Sequence, residues 1–196
     1  MHGDHVEESI ELAGRMLTLL RPASADELID EEAFGGDEFL PYWAELWPSG
    51  VALAGAVGAL DLRGSRVLEL GAGLGLPSLA AALGGADVLA TDWADDAVEL
   101  LRANAERNRI ALRVERVRWD EPELLLGTAP WPLVLGADLL YERRNADQLL
   151  ELLPRLGAEV LLAEPGRPFA RGFFERAAER WEIATVEDRL FRLRLR

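Results

Sequence analysis

The chain has 196 residues and a formal net charge of −14, with 35 acidic side chains against 21 basic ones, all of them arginine. One domain with a substantial core is the expectation from that length. The acidity argues against a protein that grips nucleic acid through its phosphates, and the absence of cysteine excludes disulfides, thiolate metal sites and a cysteine nucleophile.

At the N-terminus, Met1 to Glu11 is polar and acidic, unlike a secretion signal. Apolar stretches fall short of the roughly 18 residues that span a membrane. A cytoplasmic protein with no membrane partner is expected. Val6, Ile10, Ala13, Leu17 and Leu20 recur at helical spacing, which predicts an amphipathic helix over 5–20. His2 and His5 are expected to face solvent and not to bind a metal. Asp26 to Phe39 is acidic around Gly35-Gly36 and reads as a turn or loop. Residues 1–40 therefore form a helical and loop extension, and 41–196 the main domain. A further helix is predicted from Pro48 to Leu60, after the segment Pro41-Tyr-Trp-Ala-Glu-Leu-Trp-Pro-Ser-Gly50. Trp43 and Trp47 either line a site or anchor that helix.

From residue 66 onward strand and helix alternate, which predicts a parallel sheet covered on both faces. Strands are read near 66–70, 87–92, 112–119, 133–138, 159–164, 182–188 and 191–196. Helices fall near 75–84, 94–108, 145–156 and 168–180. The last two strands are too close for a crossover helix and must pair antiparallel. The fold class is α/β: a Rossmann-like seven-stranded sheet, mostly parallel, with a C-terminal antiparallel hairpin.

Ligands bind beyond the carboxyl ends of such strands. Strand one ends in Glu69, followed by Gly71, Gly73 and Gly75, and Pro77 occupies the first turn of the next helix. The dinucleotide fingerprint wants its third glycine at 76, where Leu76 stands. Strand two ends in Asp92, placed either to accept hydrogen bonds from ribose hydroxyls or to cap the following helix. Trp93 follows it and is placed to cover an adenine ring. Trp119-Asp120 ends strand three, where Asp120 either meets the adenine amine or caps a helix. Asp138 ends strand four with Tyr141 after it, a carboxylate and a ring suited to orienting an amine. Glu164 ends strand five. Five acid-bearing ends on one edge predict a negatively charged cleft.

Gly-x-Gly-x-Gly after an acid resembles motif I of the class I S-adenosylmethionine-dependent methyltransferases. The Pro-aromatic-Trp-Ala-x-x-Trp-Pro-x-Gly segment together with Asp-x-x-Tyr at 138–141 resembles the seven-β-strand protein lysine methyltransferases. Within them it is most similar to the branch that methylates the electron-transfer flavoprotein β subunit, and Gly166-Arg167-Pro168 fits the same branch. Over residues 40–196 the resemblance implies that Trp47, Glu69, Gly71, Gly73, Gly75, Asp92, Trp93 and Asp120, with Trp119 beside it, hold S-adenosylmethionine. It implies an acceptor-side role for Asp138 and Tyr141, with Asp138 orienting the amine and not acting as general base. Ser49 departs from the family pattern, which has glycine there. A protein substrate presenting lysine is the implied partner. A small-molecule amine acceptor, or a cofactor-binding interaction protein without activity, remain the alternatives.

Overall fold

The computed structural model describes residues 4–24 and 42–196. A two-stranded hairpin comes first, β1 (His5–Leu12) with β2 (Arg15–Pro22), where the sequence pattern predicted a helix over 5–20. The spacing of Val6 and Ile10 suits either element and that of Leu17 and Leu20 only a helix, but two local features decide for the hairpin. Ala13 and Gly14 both take positive φ, 50° and 74°, as a two-residue turn between paired strands requires. Leu17 and Leu19 alternate inward on β2 with a period of two and are both buried. His2 and the predicted loop at 26–39 lie outside the described residues; His5 is half-buried at the start of β1.

A 3-10 turn at Tyr42–Ala44 leads into α1 (Pro48–Gly58). The main sheet then builds from β3 (Arg66–Leu70), β4 (Asp87–Asp92), β5 (Arg113–Arg116), β6 (Leu133–Ala137), β7 (Glu159–Ala163), β8 (Trp181–Glu187) and β9 (Leu190–Leu195). Its order is β5-β4-β3-β6-β7-β9-β8, with β3 to β7 parallel and β9 antiparallel to both neighbours. The connections carry α2 (Leu76–Leu83), α3 (Asp95–Arg107), a short α4 (Glu123–Gly127), α5 (Arg143–Leu156) and α6 (Ala170–Ala177). Every strand and helix expected from residue 48 onward is present. Only α4 was not anticipated, because five residues give too little periodicity to read.

Alternation along the strands sends side chains to two cores. Val67, Val88, Leu135 and Leu161 face α1 and α2, while Leu68, Leu89, Val134 and Val160 face α5 and α6. Burial on both faces explains why these strands are continuous apolar runs. The hairpin joins the first layer through α3. Asn104 Oδ1 and Nδ2 pair with Leu20 N and O at 2.6 and 2.9 Å. One helical turn later, Asn108 Oδ1 and Nδ2 pair with Thr18 N and O at 3.0 and 2.9 Å. Two amides spaced i, i+4 thus satisfy alternate residues of the β2 edge, as a neighbouring strand would.

Candidate functional site

Strand ends 3, 4, 5 and 6 open on one side of the sheet, where the 42–47 segment crosses over the loop that follows β3. Between them is a cleft of about 420 Å³, within the size range of small-molecule sites. It is lined by all eleven residues singled out from sequence: Trp47, Glu69, Gly71, Gly73, Gly75, Asp92, Trp93, Trp119, Asp120, Asp138 and Tyr141.

The glycine loop is left-handed at each of its three glycines, with φ of 59°, 50° and 71° at Gly71, Gly73 and Gly75. A Cβ at Gly75 would stand 2.2 Å from Leu101 Cδ1, and one at Gly73 would stand 3.2 Å from the Trp43 carbonyl oxygen. The loop is therefore pressed between α3 below and the 42–44 turn above. Glu69 lies beneath it, fully buried, and accepts hydrogen bonds from Ser78 N at 2.8 Å and from Ser78 Oγ. Burial pushes its carboxyl up to about 8, against the lowering effect of the Ser78 bonds. Its role in this geometry is to tie the end of β3 to the first turn of α2. Asp92, also buried, accepts from Gly73 N at 2.9 Å and Ala94 N at 3.0 Å, so it braces the glycine loop against the start of α3. Burial raises its pKa, partly offset by those backbone bonds. Asp92 does not cap α3, whose N-cap is Ala94 and has no side-chain cap hydrogen bond; it holds the Ala94 N–H just before the helix and lines the cleft.

At the rim, Asp120 is about half exposed and takes Arg118 Nε and Nη2 at 3.0 and 2.6 Å. The guanidinium holds this carboxyl below its ordinary range. Trp119 packs beside Gly71, and Arg116 donates to the Trp93 carbonyl at 2.8 Å.

The β6 end is organised differently. Asp138 has φ of 59°, an uncommon conformation for a non-glycine residue, and is 7% exposed. Its backbone N–H donates to Ala163 O at 2.8 Å, so the bend is locked to the end of β7. Arg167 donates Nε to Oδ1 at 2.5 Å and Nη2 to Oδ2 at 2.9 Å. Ser49 Oγ, from the first turn of α1, donates to Oδ2 at 3.2 Å. The Arg167 guanidinium also lies over the Trp47 ring, 5.2 Å from its centroid. Tyr42 stands between Tyr141 and Trp47, with centroids 5.0 and 6.2 Å away. Trp47 Nε1 closes the turn by donating to Tyr42 O at 2.7 Å. Burial raises the Tyr141 phenol, which stays protonated near neutral pH.

Sequence reasoning missed Tyr42 and Arg167 as site residues. Tyr42 was visible as the aromatic before Trp43, and Arg167 as the cation after the fifth strand end; neither signal says which acid or ring it meets. The strongly negative cleft predicted from five acids is corrected by the same partners. Asp120 and Asp138 are each held bidentately by an arginine, burial pushes Glu69 up to about 8, and Glu164 is not among the residues that line the cleft. Among the described residues no cluster of His, Asp or Glu is arranged to hold a metal, and no helix is long and apolar enough to cross a membrane.

A seven-stranded sheet with this order and reversed last strand, carrying its cleft over the first glycine loop, is a Rossmann-like α/β fold. The fold is shared with a 16S rRNA methyltransferase (RsmC) of T. thermophilus, solved in complex with AdoMet and guanosine. That superposition has a TM-score of 0.71 at 18% identity, over 98% of this chain and 51% of the other. Residues 42–167 match the family model described as lysine methyltransferase, and the chain belongs to that family. The electron transfer flavoprotein beta subunit lysine methyltransferase of Xenopus laevis is 40% identical over 138 residues, 65% of this chain and 53% of that one. A protein N-lysine methyltransferase of Danio rerio is 38% identical over 122 residues, 59% of this chain and 56% of the relative. The chain thus spans about half the length of the curated relatives it matches.

Proposed function

We propose that the protein transfers a methyl group from S-adenosylmethionine to the side-chain amine of a lysine presented by a protein. The observation that carries the reading is the division of one cleft into two unlike halves. A backbone cradle with a buried carboxylate lies on one side, and a ring-lined pocket with Asp138 on the other.

The first half fits the donor. Three left-handed glycines let the loop turn where a Cβ would run into Leu139, Trp43 or Leu101, and Asp92 uses one lone pair of each oxygen on backbone amides. Asp92 is left with acceptor capacity for two ribose hydroxyls. Trp93, Trp119 and Asp120 then flank an adenine, and Trp47 closes the opposite wall. When bound, the donor supplies an electrophilic methyl on a sulfonium sulfur. The protein's own work is placement: holding an amine in line with that carbon is worth roughly 7–11 kcal/mol without covalent help. Tyr42, Trp47 and Tyr141 form the walls that position the amine and exclude water.

Incubating the protein with labelled S-adenosylmethionine and a lysate, then analysing hydrolysed protein, tests the reading. Label in protein as methyllysine is the expected result. Label confined to small molecules replaces it with a small-amine methyltransferase, and binding of the donor with no transfer leaves only a cofactor-binding interaction protein.

A further inference from the structure

Arg167 answers a problem that the acceptor pocket poses. A lysine amine attacks through its lone pair, so it must lose a proton before the nitrogen–carbon bond forms and the carbon–sulfur bond breaks. An unpaired carboxylate beside that amine raises its pKa, and an open aromatic face holds the ammonium by cation–π attraction. Both would keep the amine protonated. In this structure Arg167 stands on one of each: its guanidinium takes both Asp138 oxygens, at 2.5 and 2.9 Å, and lies over the Trp47 ring at 5.2 Å, while Tyr42 and Tyr141 form the remaining ring walls.

We propose that Arg167 makes the acceptor pocket select a neutral amine, by occupying the Asp138 carboxylate and the Trp47 ring face that would otherwise bind an ammonium. The inference rests on the methyl-transfer reading above and assigns Arg167 as a positioning residue for it. The guanidinium is itself held in place. Glu164 Oε1, at the end of β7, accepts from Gly166 N at 2.8 Å and Arg167 N at 2.6 Å. Gly166 turns there at φ 103°. Ser49 fills the remaining approach to Asp138 Oδ2.

The surrounding charges leave Arg167 in control. Glu142 and Arg144, at the start of α5, pair with each other at 2.5 Å. Glu164 is engaged by the Gly166 and Arg167 backbone N–H groups, and Asp92 by those of Gly73 and Ala94. Tyr141 is kept neutral by burial, Tyr42 stands in the 42–44 turn, and Glu45 lines the outer mouth. A protonated amine entering beside Asp138 therefore meets a cation before it meets an unshared anion.

n-Butylamine, a lysine side-chain analogue, is the probe, titrated with S-adenosylhomocysteine present and followed by tryptophan fluorescence. A lysine-like amine has a pKa of about 10.4. If only the neutral form binds, apparent affinity in the unmodified protein rises about a hundredfold between pH 7.5 and 9.5. Arg167→Gln is expected to bind the ammonium at pH 7.5 at least tenfold more tightly than the unmodified protein, with a flattened pH profile. Arg167→Lys keeps a cation and keeps the steep profile. A flat profile in the unmodified protein, no binding by pH 9.5, or matching profiles in the Gln and Lys variants each overturns the inference. A flat profile in the unmodified protein overturns the inference even if the Gln variant does not fold. Protein labelling with a flat amine profile sinks this inference alone, whereas a steep profile without methyllysine sinks the lysine reading alone.

Discussion

The two halves of the cleft are built by different means. On the β3–β4 side, carboxylates are held mainly by backbone amides of the glycine loop and the helix starts: Glu69 by Ser78 N, with Ser78 Oγ beside it, and Asp92 by Gly73 and Ala94. On the β6–β7 side, the carboxylate is held by side chains from other elements, Ser49 being 89 residues away and Arg167 29. Backbone amides present the same donor whatever side chain they carry, so the first half tolerates change except where a Cβ cannot fit. The second half depends on the identity of each partner, and there chemistry is open to adjustment by single substitutions. Ser49 illustrates it, adding a bond to Asp138 at a position where glycine has none to give.

The comparison breaks most visibly at Gly75. Gly75→Ala combines a left-handed residue with a Cβ 2.2 Å from Leu101, and is expected to cost about 3 kcal/mol in urea unfolding. An unchanged midpoint would show that the loop is not pressed against α3. On the other half, Asp138→Asn leaves the Arg167 guanidinium without its anion. Methyl transfer should fall about a hundredfold, in kcat and kcat/KM together, while S-adenosylhomocysteine affinity stays within a few-fold. Lost cofactor affinity instead would move Asp138 to the donor half.

Asp92→Ala should weaken S-adenosylmethionine binding by about tenfold or more in calorimetry, since hydrogen bonds to a charged acceptor contribute roughly 1.5–3 kcal/mol each. Unchanged affinity would restrict Asp92 to bracing the loop. Glu69 sharpens the comparison through pH. Its folded value of about 8 lies above the ordinary 4.5, so the folded chain holds this proton longer. The stability it contributes is complete below about 4.5 and is lost as pH rises toward 8. One proton accounts for at most about 1.4 kcal/mol per pH unit. Glu69→Gln should remove that slope from urea unfolding measured between pH 5 and 8; parallel curves would contradict the assignment. The smallest effect is expected at the rim. Arg118→Ala breaks an exposed pair with Asp120 and should change stability by less than about 0.5 kcal/mol. A larger loss would mean that the pair supports the cleft wall.

The order of elements from Pro48 to the C-terminus was legible because the central strands β3, β4, β6 and β7 are apolar runs closed by an acid or glycine, and the longer helices carry their own periodicity. The hairpin at 5–22 was not. Val6, Ile10, Ala13, Leu17 and Leu20 satisfy the helical period, and Leu19, the residue that breaks it, counts only once Asn104 and Asn108 are known to satisfy the β2 edge. The same distinction separates the candidate residues. All eleven residues named from the chain line one cleft, but their electrostatic state was misjudged. Charge in a sequence is counted residue by residue, whereas Asp138 and Asp120 are answered by arginines, and Glu69 by burial.

The α/β alternation, the glycine loop and the position of each acid at a strand end can be read along the chain, because they depend on residues close together in it. Only the tertiary structure decided that Arg167 and Ser49 converge on Asp138, that Tyr42 joins Trp47 and Tyr141, and that a hairpin covers α3. Apart from Tyr42 with Trp47, those contacts join residues 29 to 99 positions apart, whose meeting is set by the sheet order and the packing of its two layers.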